Sequence, residues 1–358
     1  MKKIYLSLLI ALGCTTLLNA QNVNIPDANF KAYLLGNKEI NINGDAEIQV
    51  SEARAFKGKI NCSSKNIKDL TGIEAFTALK ELDCSYNKLT TLNVSANTAL
   101  TNLDCSGNKL TTLNVSANTA LTNLDCSGNK LTTLNVSANT TLKVLNCAHN
   151  QLTTLNVSAN TALKKLSCPG NKLTTLNVSK NTALTNLHCY ENQLTTLNVS
   201  ANTALEELSC SINQLTTLNV SKNTALTNLH CYENQLSTLN VSANTALTNL
   251  HCSGNKLTTL NVSANTALEE LNCSINQLTT LNVSKNTALK VLLCSDNKLT
   301  TLNVQNGNNR NFNHFRAKSN PKLTCIQVDD AAYSTTYWTG GDFEFDTTAK
   351  FSKNCPSN

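Results

Sequence analysis

Between Leu79 and Leu299 the chain repeats one 21-residue phrase, LxxLxCSxNxLTTLNVSxNTA. Cysteine marks the register: Cys84, Cys105, Cys126, Cys147, Cys168, Cys189, Cys210, Cys231, Cys252, Cys273 and Cys294 lie 21 residues apart, with Cys62 22 residues earlier. A fixed period of 20 to 50 residues is the signature of a solenoid, because a unit that short cannot bury its own apolar face and must stack on its neighbours. The 358 residues are therefore read as one elongated domain. A position copied without change in every coil serves the stack, whereas a position that varies is free to specify something else.

The unit has two similar halves, LKELDCSYN (Leu79 to Asn87) and LTTLNVSAN (Leu89 to Asn97). Apolar and polar residues alternate over Leu82, Asp83, Cys84 and over Leu92, Asn93, Val94, which is the pattern of a half-buried strand. Two short parallel strands per coil are expected, with no room for a helix. The Asn closing each half should turn inward and bond the backbone of the corner and of the next coil. The motif LxxLxCxxNxL resembles the leucine-rich repeat, with Cys where many members have Leu, over roughly residues 60 to 323. The nested form is similar to that of secreted, flavobacterial-type bacterial members. The resemblance implies a mainly β leucine-rich repeat solenoid, a right-handed stack of about 13 coils, and usually a binding role without naming a ligand.

The ends depart from the repeat. Met1-Lys2-Lys3, the apolar run Ile4 to Leu12 and Leu18-Asn19-Ala20 read as a signal peptide over 1–20, so the mature protein is expected to be secreted or at the cell surface. Gly13-Cys14 offers a rival reading as a lipoprotein attachment point. No run is long and apolar enough for a transmembrane helix. Residues 21–59 are expected to form an N-terminal cap with helices near Asp27 to Leu35 and Ser51 to Phe56. Between them Asn41, Asn43, Asp45, Glu47, Gln49 and Glu52 follow the spacing of an EF-hand-like calcium loop, although Asn41 replaces the usual first Asp and Ala46 the usual Gly. This segment is open to two readings, a polar capping turn or a weak calcium site. No other cofactor is indicated.

After Leu302 the pattern decays. Gly307 occupies the place of the second-half Asn, and an irregular coil follows with Phe312, Phe315, Ala317, Asn320 and Leu323. Residues 324–358, rich in aromatics, read as a C-terminal cap over the end of the core. Cys325 and Cys355 bracket this cap outside the repeat and are the expected disulfide in an exported protein. The segment Leu323 to Asp330, with the Trp338 region and Cys355, is similar to the ending of secreted flavobacterial-type members. Many of those continue into a sorting domain or wall anchor, and none is read after Cys355.

Candidate functional residues are sought among the exceptions. The repeated cysteines take an inward strand position and lack CxxC spacing, so they are read as small hydrophobes rather than redox or metal residues. The second half is nearly invariant and presents Thr91, Asn93, Ser95 and their copies outward. The first half varies: Asp83, Asp104 and Asp125 near the N-terminal end, then His188, Tyr190, His230, Tyr232 and His251 in the middle. These eight residues are the expected ligand-binding face, suited to a polar partner, either another protein or a glycan. His188, His230 and His251 also suggest a metal column, but LTNLHCYENQL occurs at both Leu184 and Leu226, so the histidines are accounted for by duplication. The net charge is +6, with two of those charges, Lys2 and Lys3, in the leader. A basic ridge through Lys88, Lys109, Lys130, Lys172, Lys256 and Lys298 licenses weak attraction to anionic surfaces, and nucleic acid is not expected. No triad, paired-carboxylate pocket or strong metal motif marks an enzyme. The alternative to a binding module is a structural surface protein, or an ice-binding solenoid using the Thr/Asn/Ser lattice.

Overall fold

The computed structural model describes residues 21–356, so the expected signal peptide and Cys14 lie outside the described residues. Fourteen parallel strands form one continuous sheet, running from Lys59–Asn61 through Glu81–Asp83, Asn102–Asp104 and their successors to Phe343–Glu344. Each is two or three residues long and pairs with the strand of the neighbouring coil, Leu103 beside Leu124 and Leu250 beside Leu271. The period of the sequence thus becomes the register of the sheet. Alternation sends Leu103 and Cys105 inward, and Leu100, Leu110, Leu113 and Val115 complete the six buried apolar residues of that coil. The same positions are buried down the stack and form one continuous core.

The second side differs from the expectation of two strands in every coil. Among the described residues only Thr280–Asn282, Thr301–Asn303, Cys325–Gln327 and Lys350–Ser352 pair as a second, four-stranded sheet. Earlier coils reach single-residue bridges at most, Asn93 with Asn114 and onward to Asn177. The inner Leu follows the same division: Leu113 is 8% exposed and Leu239 7%, whereas Leu281 and Leu302 fall to 2% and 1%. Alternation decides which side chains turn in. Ladder pairing also requires successive residues to exchange backbone hydrogen bonds, and on this side such pairing extends beyond a single residue only toward the C-terminal cap.

Both corners are held by asparagine. Asn108 donates from Nδ2 to the carbonyls of Cys84, Cys105 and Ser106 at 3.0 to 3.2 Å, and its Oδ1 accepts Leu89 N–H at 3.0 Å. One side chain thereby ties two successive coils. At the second corner Asn118 Nδ2 donates to the carbonyls of Val94 and Asn97, both at 2.9 Å. Past Asn286 this ladder does not lapse at Gly307: Asn306 takes it up one residue early, donating to Asn286 O at 2.9 Å.

At the N-terminal end, α1 (Ala28–Gly36) begins where Asp27 Oδ1 accepts the N–H groups of Asn29 and Phe30. Asp27 Oδ2 accepts Lys68 N–H at 2.7 Å, so one carboxylate caps the helix and anchors it to the first coils. Burial raises the pKa of Asp27, but the backbone N–H groups around it outweigh that and hold it below the ordinary value. A second helix, α2 (Val50–Ala55), follows. At the other end α3 (Ala331–Tyr337), capped by Asp330, delivers Trp338 onto Phe315 and Phe351, with ring centroids 5.2 and 5.4 Å apart. Cys325 and Cys355 form a disulfide across this cap. Among the described residues no helix is long and apolar enough to cross a membrane.

Candidate ligand-binding face

The outer surface of the 14-stranded sheet carries two columns of side chains that change from coil to coil. Asp83, Asp104 and Asp125 are direct register neighbours in one of them. Each accepts at Oδ1 the hydroxyl hydrogen of the serine two residues on, Ser85, Ser106 or Ser127, at 2.6 to 2.7 Å. Like charges stacked one strand apart repel in a half-buried setting. Burial first, and then Asp125 and Asp83, raise the pKa of Asp104 above its ordinary value against the pull of Ser106. Where the column changes to Asn146, its Nδ2 donates to Asp125 Oδ2 at 2.8 Å. A groove of about 260 Å³ runs along these coils, walled by the aspartates, Glu81 and Lys59.

Farther along, His188, Ser209, His230 and His251 occupy consecutive places in the same column. His230 and His251 stack with centroids 4.6 Å apart and planes 15° from parallel. Burial, followed by the neighbouring His251, lowers the pKa of His230. His188 Nε2 lies 3.0 Å from Glu207 Oε1, and His251 Nε2 lies 2.9 Å from Glu270 Oε1. Asn186 and Asn249 donate to the other oxygens of those two glutamates. Tyr190 and Tyr232 follow their histidines onto the turn side of the same face, each half-buried. The structure therefore gathers the five middle residues into one patch and holds the three aspartates apart from them, toward the N-terminal end.

Glu207 and Glu270 were not singled out by reasoning from sequence. The signal was present: the register places residue 207 beside 186, diagonal to His188. What sequence could not show is that the carboxylates turn toward the imidazoles.

The cysteine column lies behind this face. Twelve free thiols are buried among the described residues, from Cys62 to Cys294. Burial pushes the thiols of Cys62, Cys210 and Cys252 up to about 12, far from the thiolate form that redox or metal chemistry needs.

In the loop between α1 and α2 the side chains bond one another. Glu52 Oε1 accepts the N–H groups of Ile42 and Asn43, at 2.9 and 3.3 Å, and Oε2 accepts that of Gln49 at 3.0 Å. Asp45 Oδ2 receives amide hydrogens from Asn43 and Gln49, each at 2.9 Å. Asn41 Oδ1 accepts Gly44 N–H, and Glu47 pairs with Lys31 at 2.7 Å. The left-handed residue is Gly44, at φ 71°, two places before the usual glycine position of a calcium loop. In this arrangement the loop oxygens satisfy backbone and amide donors, as a capping turn does.

The functional domain of InlJ from Listeria monocytogenes, described as including a cysteine ladder, is 34% identical and superimposes with a TM-score of 0.64 over 87% of this chain and 77% of that one. The chain belongs to the leucine-rich repeat family. A family defined on the leucine-rich repeat domain of the endo-β-N-acetylglucosaminidase EndoS matches residues 41–150. Two further leucine-rich repeat structures share the fold: the internalin InlF of Listeria monocytogenes, at 21% identity and a TM-score of 0.76 over 87% of this chain and 98% of that one, and a Leptospira interrogans leucine-rich repeat protein, at 24% and 0.70 over 82% and 86%. No curated protein matches significantly.

Proposed function

We propose that this leucine-rich repeat protein is an exported, non-catalytic binding or adhesion module, and that it engages a protein or glycan ligand through the outer face of its 14-stranded sheet. One observation carries the reading. Among the outward strand positions, those that vary most between coils lie on the face of the 14-stranded sheet, whereas the opposite side nearly repeats Thr, Asn and Ser. A stack needs uniformity for stability but gains nothing from a graded surface, so strand variation concentrated on one face fits recognition. Export is supported by the leader-like N-terminus and by the Cys325–Cys355 disulfide, which persists in oxidising compartments.

The test is a glycan array and a pull-down with the chain from Gln21 onward, comparing Tyr190→Ala with wild type. Loss of ligand with unchanged melting is expected; a ligand that ignores every outer residue of the sheet would count against the face. A second reading, a structural or ice-binding lattice, draws on the exposed copies of Thr91, Asn93 and Ser95. An ice-recrystallisation assay separates the two, and full inhibition of crystal growth would favour the lattice.

A further inference from the structure

The outward charges of the first eight coils of the 14-stranded sheet are ordered. Counting each strand with the residue before it, the coil of Lys59 carries a cation, and the next three are net acidic: Glu81 and Asp83 against Lys80, then Asp104, then Asp125. The sign then reverses. Lys143 follows, then Lys164 with Lys165, then His188, and the eighth coil carries Glu206 and Glu207. Asp125 and Asn146 are register neighbours on either side of the reversal. Counted outward from that boundary, each coil has a counterpart of opposite sign: the fourth with the fifth, the third with the sixth, the second with the seventh, the first with the eighth.

Neither patch is neutralised from within. Lys143 and Lys164 are stack neighbours, Lys164 N–H donating to Lys143 O at 2.8 Å, and both are exposed, as is Lys165. Among the described residues no carboxylate lies within ion-pair distance of these three lysines. Lys290, at the same place in its own coil, has Glu269 at 2.8 Å. The carboxylates to either side are engaged elsewhere, Asp125 Oδ2 with Asn146, and Glu207 with His188 and Asn186. On the acidic side the groove of about 260 Å³ extends from Lys59 to Asn146. Burial, and then its two like-charged neighbours, hold the pKa of Asp104 above its ordinary value. Stacked like charges destabilise each patch, and opposite charges brought from outside offset that cost.

We propose that this half of the face docks a second copy of the chain, about a two-fold axis lying along the strands between the coils of Asp125 and Asn146. Rotation about that axis reverses the stack and turns the two faces toward each other, while each column of outward residues stays opposite itself. Lys59 then meets Glu207 of the second copy, and Asp83 meets His188, each pair within one column. Lys143 and Lys165 reach into the second copy's groove, beside Asp125 and Asp104. One self-complementary patch serving both copies is what an isologous interface requires. At about 4.8 Å per coil the eight coils span roughly 38 Å of a face only three residues wide. An interface that narrow belongs to the weak, salt-sensitive class. The coils of His230 and His251 lie outside the pairing and stay open to the ligand proposed above, on which this inference does not depend.

Sedimentation of the full chain is followed over a concentration series at about 0.01 M and about 1 M salt, where charges act over roughly 30 and 3 Å. A reversible dimer is expected at low salt, weakened about tenfold or more at high salt. The same loss is expected from Lys164→Glu with Lys165→Glu, and from Asp104→Lys with Asp125→Lys. Mixing these two double variants should restore association as a heterodimer, because each presents the sign that the other lacks. Lys164→Ala with Lys165→Ala, which removes charge without reversing it, should weaken the dimer less. Melting curves confirm that each variant folds. A chain that stays monomeric at low salt, a dimer indifferent to salt and to both charge reversals, or folded double variants that fail to pair on mixing would overturn the proposal.

Discussion

The two long sides of this molecule are made from one repeating unit, yet they are physically different. On the first side each coil pairs with the next into a sheet of 14 strands whose outer residues change. On the other, most coils meet through single bridges at most, and the outer residues hardly change. Backbone pairing is indifferent to outer side chains, so the paired side can tolerate Asp, Asn, Ser, His or Leu at one position. On the weakly paired side the same local bond recurs in copy after copy, Asn114 Oδ1 accepting Ser116 N–H at 3.0 Å, whereas on the paired side it is made where the column carries Asp or Asn, as at Asp104, and the ladder holds the coils in either case. The lesson is that variability follows where the backbone already satisfies itself.

The corners give the sharpest way to break this comparison. Asn192→Ala strips Leu173 N–H of its acceptor and three carbonyls of a donor, and should cost roughly 1 to 3 kcal/mol in urea melts. Asn181→Ala, at the second corner, removes donation to Val157 and Asn160 but orphans no N–H bonded to its Oδ1, so about 1 kcal/mol is expected. Equal losses would mean that the two sides are held alike.

Cys168→Ser puts a hydroxyl into the fully buried column and should cost about 1 kcal/mol, while the native thiols should resist alkylation until the chain unfolds. Rapid labelling of folded protein would contradict a closed core behind the first face.

Asp104→Asn should act in the opposite direction. A carboxyl with a raised folded pKa contributes stability that is fully present below its unfolded value and is lost as pH rises through the folded one. At pH 7 the amide variant should therefore be more stable by roughly 0.2 to 1 kcal/mol, with the gap closing as pH falls toward 3.8. Melting curves at several pH values read this directly. The smallest effect is expected at the α1–α2 loop: because Glu52 and Asp45 already satisfy internal donors, millimolar calcium should leave the melting temperature unchanged. A clear upward shift would decide for the calcium site over the capping turn.

Much of the core was legible because period and alternation report directly on burial: Leu82, Cys84 and Val94 are inside, as their pattern requires. The outward placement of Asp83, His188 and His251 followed from the same parity. Their partners did not. Whether Glu270 reaches His251, or whether Ser211 keeps an acceptor, depends on side-chain torsions across a coil boundary. The move of the second ladder from Gly307 to Asn306 was hidden for a similar reason, since the corner shifts by one residue to keep its amide over Asn286.

By itself the sequence determined a stack, its register, its inner and outer residues and the cysteine column, because a 21-residue period with alternating polarity has one way to bury its apolar side chains. Only the tertiary structure decided which side becomes a true sheet and which carboxylates turn toward the imidazoles of its outer face. Those outcomes depend on distances between neighbouring coils, and separation in space is not written into any one copy of a repeat.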